Sequence, residues 1–236
     1  MLVVAWVACE KNTYNVTERT EVTDLALIKI GYFAPSITHQ PVQAKFNGVR
    51  VSPTMAYNTP FPGGGLNTGG SNNSDYLTLA PGNSTVQLSV AKVGTDADSI
   101  KVFEGQFNFP DKRQILFLTD SFPNIASVLV DVETAPATDP AKSRIKFVHL
   151  IPNVAAVDFY RGTELLKANV PYKGETEFFD VAAGAASYVI KEAGQTATLG
   201  TQSITPVAGR IYTFFSRGFK GGAGLLNPRV SAMIVQ

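Results

Sequence analysis

The chain has 236 residues, of which 44% are hydrophobic and 17% charged, and a formal net charge of +1. That apolar content can bury two cores and excludes a disordered chain, while the absence of a sustained Lys/Arg run excludes the basic face that nucleic-acid binding needs. No apolar stretch reaches the ~18 residues of a membrane-spanning helix; the 15 Phe and 8 Tyr among 20 Gly and 14 Pro suit short strands joined by tight turns.

Residues 1–8 form an apolar run closing on Ala8, followed by Cys9 and a polar stretch from Glu10 to Glu21. A single cysteine cannot make an intrachain disulfide, so Cys9 is not a structural staple. A small residue, a cysteine and a polar tether resemble a bacterial lipoprotein signal, in which the cysteine is lipidated and becomes the mature N-terminus. Trp6 stands where such signals usually have Leu, and no basic segment precedes the run. The resemblance implies a truncated signal over 1–9, lipidation at Cys9, a solvated tether over 10–23 and attachment to the outer membrane through the lipid.

From Leu25 onward short apolar or alternating runs are broken by turn signals about every eight to twelve residues, the pattern of a sandwich or barrel. The first unit, 24–133, is predicted to hold strands at 27–32, 42–46, 76–79, 85–93, 101–107, 114–119 and 127–132. Asn47-Gly48 is a two-residue hairpin turn, and Pro81-Gly82-Asn83 punctuates the next hairpin. Residues 134–141, with Pro136 and Pro140 and no bulky apolar side chain, read as a stiff linker that holds the units in a partly fixed relation. The second unit, 142–236, repeats the layout with strands at 145–150, 156–160, 177–181, 187–192, 198–204, 210–216 and 229–235. No stretch sustains a helical apolar period, so no long helix is expected.

The two units share text as well as layout. Ala26-Leu27-Ile28-Lys29-Ile30-Gly31-Tyr32 returns as Ser143-Arg144-Ile145-Lys146-Phe147-Val148-His149, and Asn58-Thr59-Pro60-Phe61-Pro62-Gly63 as Asn169-Val170-Pro171-Tyr172-Lys173-Gly174. They differ most between Gly63 and Tyr76, where a Gly- and Asn-rich insertion, 64–75, stands against only Glu175-Thr176-Glu177.

Phe147-Val148-His149 followed by Ile151-Pro152-Asn153-Val154-Ala155-Ala156-Val157-Asp158-Phe159-Tyr160-Arg161-Gly162 resembles the "F-V-H-A-S-P-D-A-P-A-V-D-V-Y-x-D-G" opening of the bacterial domain-of-unknown-function family 4397. That family's later landmarks look like Asn169-Val170-Pro171-Tyr172-Lys173-Gly174 and Val181-Ala182-Ala183-Gly184-Ala185-Ala186-Ser187-Tyr188. The first unit matches more loosely, with Tyr32 in place of the His and Gln43 in place of the Asp. The resemblance implies secreted or envelope-anchored β-sandwich modules that occur in tandem, with no activity attached.

The polar pair His149 and Asp158 is expected to be structural, the imidazole bonding a backbone carbonyl or Asp158. A hydrolase using them would need an activated nucleophile, and no G-x-S-x-G elbow is present. With two His, one of them His39 in a loop, and no C-x₂-C or H-x₃-H spacing, no metal and no cofactor are expected. Two loops are candidate binding surfaces, because long loops on rigid sandwiches commonly carry binding. One is the 62–75 loop that carries the insertion, with Asn67, Asn72, Asn73 and Asp75; the other is the 217–228 loop, with Phe219, Lys220, Leu225 and Leu226. Asp98-Ser99-Ile100 fits a short envelope O-glycosylation pattern, which would place the glycan on Ser99.

The sequence therefore points to an all-β protein of two tandem immunoglobulin-like antiparallel β-sandwich domains. The expected role is non-catalytic: a lipid-anchored envelope protein acting in binding, adhesion or scaffolding, its partners the membrane and a glycan or envelope protein. The alternatives are a glycan-binding accessory of carbohydrate uptake, or a hydrolase using His149 and Asp158.

Overall fold

The computed structural model describes residues 24–35, 41–92, 94–95, 97–121 and 123–236. Cys9, the tether and His39 lie outside the described residues. The chain is all-β, and its described strands form four sheets.

In the first unit one sheet runs β10 (Ala126–Asp131), β9 (Arg113–Thr119), β1 (Ala26–Tyr32), β4 (Thr59–Phe61), with β6 (Leu77–Leu79) also beside β1. It faces a second sheet of β3 (Val49–Arg50), β2 (Val42–Phe46), β7 (Gly82–Ala91) and β8 (Asp98–Phe109). Ile28 and Ile30 of β1, Val42, Ala44 and Phe46 of β2, and Val86 and Leu88 of β7 fill the space between. Their period of two is what puts alternate side chains on one face of a strand. The β2–β3 turn is the hairpin that Asn47-Gly48 predicts, with φ of 49° and 81° at the two positions.

The second unit repeats this plan. A sheet of β14 (Phe179–Ala182), β11 (Lys142–His149), β17 (Ile211–Arg217) and β18 (Arg229–Ile234) faces one of β13 (Glu164–Pro171), β12 (Ala156–Arg161), β15 (Ala186–Glu192) and β16 (Thr198–Ile204). Phe147 and Phe159 stack across the gap with ring centroids 4.1 Å apart. The repeated Asn58 and Asn169 both adopt positive φ, 69° and 51°, a conformation that Asn tolerates better than most residues.

Each sandwich contains one parallel pair, β1 with β9 and β11 with β17, where antiparallel pairing throughout was expected. The chain leaves β1 (or β11), builds the whole facing sheet and returns, which is the long crossover that parallel pairing requires. Four strands fall outside the predicted set: β3, β4, β5 (Gly65–Leu66) and β13. Three are two or three residues long, and β13 has most of its residues exposed or half-exposed, so neither alternation nor an apolar run marks them.

The two sandwiches pack on each other through the outer faces of the β1 and β11 sheets. Phe33, Ile115, Phe117 and Val130 of the first meet Val148, Ile211, Phe215 and Met233 of the second in a shared apolar seam. Phe215 lies 4.4 Å from Phe33 and 5.2 Å from Phe117 between ring centroids. Gly31 of β1 is required here, because a Cβ would sit 2.3 Å from the Phe33 ring and 2.6 Å from Met233. This seam holds the two units together beyond the 134–141 linker that joins them.

Candidate functional site

The insertion, read from sequence as a loop, crosses to the other sandwich. After the cis Phe61-Pro62 bond, Gly63 and Gly64 turn the chain with φ of 156° and 85°. Gly64 admits no side chain, since a Cβ would fall 1.9 Å from the Asn73 carbonyl oxygen and 2.4 Å from Lys29 Nζ. The amides of Gly64 and Gly65 donate to the Ser71 carbonyl at 2.9 and 3.2 Å, closing the loop on itself. Then β5 pairs antiparallel with β18, placing Leu66 opposite Ala232 and Gly65 opposite Met233. Leu66 packs against the core of the second sandwich.

Asn67 fastens the end of this strap. Its amide nitrogen donates to the Val230 carbonyl at 2.8 Å, and its carbonyl accepts from Arg217 Nη2 at 3.1 Å and Ser231 Oγ at 2.8 Å. Asn72, Asn73 and Asp75 lie at the exposed bend beyond it.

The 217–228 loop returns the exchange. It joins β17 to β18 through a 3-10 turn, Gly224–Leu226, and Leu226 packs against the core of the first sandwich. Lys220 is tied down: its amide and carbonyl bond the Asn153 side chain, and its ammonium pairs with Glu192. Phe219 is 37% and Leu225 63% exposed.

These two loops, predicted separately, enclose one cleft of about 410 Å³ at the junction. The first sandwich contributes Asn58, Asn67, Thr68 and Gly69 to its walls. The second contributes Arg217, Gly224, Leu225 and Arg229. Of the sequence candidates, Asn67 and Leu225 line it; Asn72, Asn73, Asp75, Phe219, Lys220 and Leu226 do not.

Arg217 is 2% exposed, with Nε donating to Ser231 Oγ at 2.8 Å and Nη1 to the Leu225 carbonyl at 3.4 Å. Burial lowers its pKa; the neighbouring Tyr57 hydroxyl offsets part of this, and Arg229 adds to the lowering. Arg229 is its register partner across β17 and β18, so the two cations stand directly opposite each other. Among the described residues no carboxylate pairs with either. Two further wall atoms, Asn58 Oδ1 and Thr68 Oγ1, are buried without a hydrogen-bond partner.

A larger cleft, about 650 Å³, lies beside Leu25, Leu27 and Glu133. Its charged side chains are engaged within the protein: Lys112 pairs with Asp131 and Glu133 with Arg144, while Arg113 bonds Gln236 and Asp111 accepts the Leu25 amide.

His149 and Asp158 do not meet. The imidazole Nε2 donates to the Val154 carbonyl at 2.9 Å, which leaves Nδ1 to accept the Ser216 hydroxyl at 2.8 Å. Asp158 instead accepts backbone amides of Asn169 and Gly194 at 2.7 and 3.1 Å. The Ser216–His149 contact resembles an activated hydroxyl, but both residues are 0% exposed and the Leu150 amide also donates to Ser216 Oγ. The pair is sealed from solvent in this structure, and His149 and Asp158 bond separate partners rather than each other.

Ser99 is exposed on the edge strand β8. The adjacent Asp98 accepts from Lys45, Gln43, Gln87 and Ser89. Burial opposes its charge, yet these hydrogen bonds outweigh it and hold its pKa below the usual carboxylate range. Among the described residues no cluster of three His, Cys, Asp or Glu could hold a metal, and no helix is long and apolar enough to cross a membrane.

The sequence profile of the family described as "Domain of unknown function (DUF4397)" matches this chain twice, over residues 66–160 and 143–228. The chain belongs to this family. The two matches overlap, and the first runs from the strap through the linker into β12, so the DUF4397 pattern straddles the junction in this protein. No curated protein matches it. A solved structure titled "Alpha-glucan recognition by family 41 carbohydrate-binding modules from streptococcal virulence factors" is similar over 86% of this chain and 95% of that chain, at 8% identity and a TM-score of 0.26. A likeness that distant carries neither fold nor ligand across.

In the sequence of this DUF4397 protein Arg217 opens the candidate 217–228 loop without being singled out, and Arg229 lies one residue past its end. Their signal was present: each is the lone charged residue of its strand, at the loop end of Ile211–Arg217 and Arg229–Ile234, so a hairpin brings them opposite. Asn58 and Thr68 carried no such mark.

Proposed function

We propose that this DUF4397 protein is a non-catalytic binding module of the cell envelope, held at the outer membrane by a lipid on Cys9. Its ligand surface is the junction cleft, and a glycan is the ligand class that suits it best. One observation carries this reading: the two loops that break the sandwich pattern meet in a single cleft to which both sandwiches contribute. Polar walls with one exposed apolar side chain, Leu225, suit a sugar, which offers hydroxyls at its edge and C–H groups on its face. The anchor is supported by the Ala8-Cys9 step and the polar tether after it.

One preparation tests both halves. Full-length protein extracted from membranes is weighed intact and applied to a glycan array beside its Leu225→Trp variant. The expected mass is that of a chain beginning at a lipidated Cys9, and array binding should be lost when Trp fills the cleft. An unmodified chain retaining Met1 through Ala8 would remove the anchor; binding untouched by Leu225→Trp would remove the cleft.

A further inference from the structure

We infer that the junction cleft is an anion site whose ligand is an acidic sugar, its carboxylate seated between Arg217 and Arg229. The inference rests on the reading of this cleft as the binding surface and names the chemistry it selects. Like charges directly opposite in a β-ladder destabilise the pair, and a buried charge is costly without a counter-charge. Arg217 and Arg229 have the first arrangement and Arg217 the second, with no carboxylate from the described residues beside them.

The neutral partners of Arg217 explain how it stays there. Ser231 Oγ and the carbonyls of Asn67 and Leu225 hold the guanidinium in place without cancelling its charge. Nε is spent on Ser231, and Nη1 and Nη2 each keep at most one N–H, which together can meet the two oxygens of a carboxylate. The repulsion between the two arginines becomes attraction to any anion lying between them.

The remaining walls ask for something other than charge. Asn58 Oδ1 can only accept a hydrogen bond and Thr68 Oγ1 can accept one, and both are buried without a partner. Ligand hydroxyls would satisfy them. A carboxylate and several hydroxyls on one compact frame describe a uronic acid, and about 410 Å³ has room for one or two such rings. Leu225 supplies the apolar surface for the sugar face.

Calorimetric titration of the full-length protein with trigalacturonate, and with the same trisaccharide after reduction of its carboxyls to alcohols, tests the assignment. The acidic form should bind, more weakly as salt rises, and the reduced form at least about tenfold more weakly. Arg229→Gln should lose about tenfold in affinity for trigalacturonate while its unliganded melting temperature holds or rises, because one of two facing like charges has gone. Arg229→Lys should recover part of the affinity, which a merely structural arginine would not predict.

Equal binding of the two trisaccharides would overturn the anion assignment and leave the cleft as a neutral-glycan site. Displacement of trigalacturonate by an equal concentration of inorganic phosphate would overturn the choice of a carboxylate. No binding of either trisaccharide ends the inference. An array signal abolished by Leu225→Trp would keep the wider reading, and trigalacturonate binding untouched by that change would remove both.

Discussion

His149 is a buried polar residue with a partner on each ring nitrogen, and its chemistry follows from that. The Val154 carbonyl takes the Nε2 proton, Nδ1 is left as an acceptor, and the ring is 0% exposed. Burial pushes its pKa down from 6.5 to about 4, with the bond to Val154 opposing in part. Between those values the unfolded chain binds a proton that the folded chain does not, so acid favours unfolding. The contribution is complete above pH 6.5, declines through the window and is gone below about 4. Urea denaturation at pH 7.5 and 4.5 should show the wild type losing roughly 2–3 kcal/mol more than His149→Gln over that interval. An equal loss in both would mean that the ring is not held neutral. The carbonyl partner was legible in sequence because His149 ends an apolar strand beside the Pro152 turn. The Ser216 partner was not, since it lies on β17, which a parallel crossover brings alongside.

At the scale of elements, the strap β5 carries the contrast between what the pattern revealed and what it concealed. The insertion stood out because only one copy has it, and its bias to Gly and Asn marked a special backbone path. Its destination was invisible: Gly65-Leu66 has no alternation, and the bond from Asn67 to Val230 spans 163 residues of sequence. Strand pairing at that distance depends on which edge is open, and β18 offers an edge only once the second sandwich has formed. Leu66→Ala should cost about 1–2 kcal/mol, at the low end for a leucine because the side chain is only partly buried. Chemical denaturation reads the cost as a lower midpoint, and hydrogen exchange should show a faster Ile234 amide, which donates to Gly64. Unchanged exchange at Ile234 would mean that the strap does not depend on its leucine.

For the whole molecule the decisive fact is that the sheets stack as four layers, with the side chains of the seam between the inner two buried like those of either core. In β9, Leu116 and Leu118 face the first core while Ile115 and Phe117 face the seam, so both faces are buried. The run Ile115-Leu116-Phe117-Leu118 announced this, as did 211–215, because a strand covered on both sides loses its alternation. Phe117→Ala should cost about 3–5 kcal/mol and move one cooperative transition, seen alike by fluorescence and circular dichroism. Two separated transitions, only one of them shifted, would show sandwiches that unfold independently. The reciprocal leucines carry the consequence furthest. Leu66 leaves the first sandwich to fill the second, and Leu226 leaves the second to fill the first. Recombination at the proline linker would divide the gene neatly and the protein badly. Each half would keep a socket shaped for its sibling's leucine and a leucine with no socket to enter. A duplicated module has in this way become a matched pair, inherited and replaced only as two.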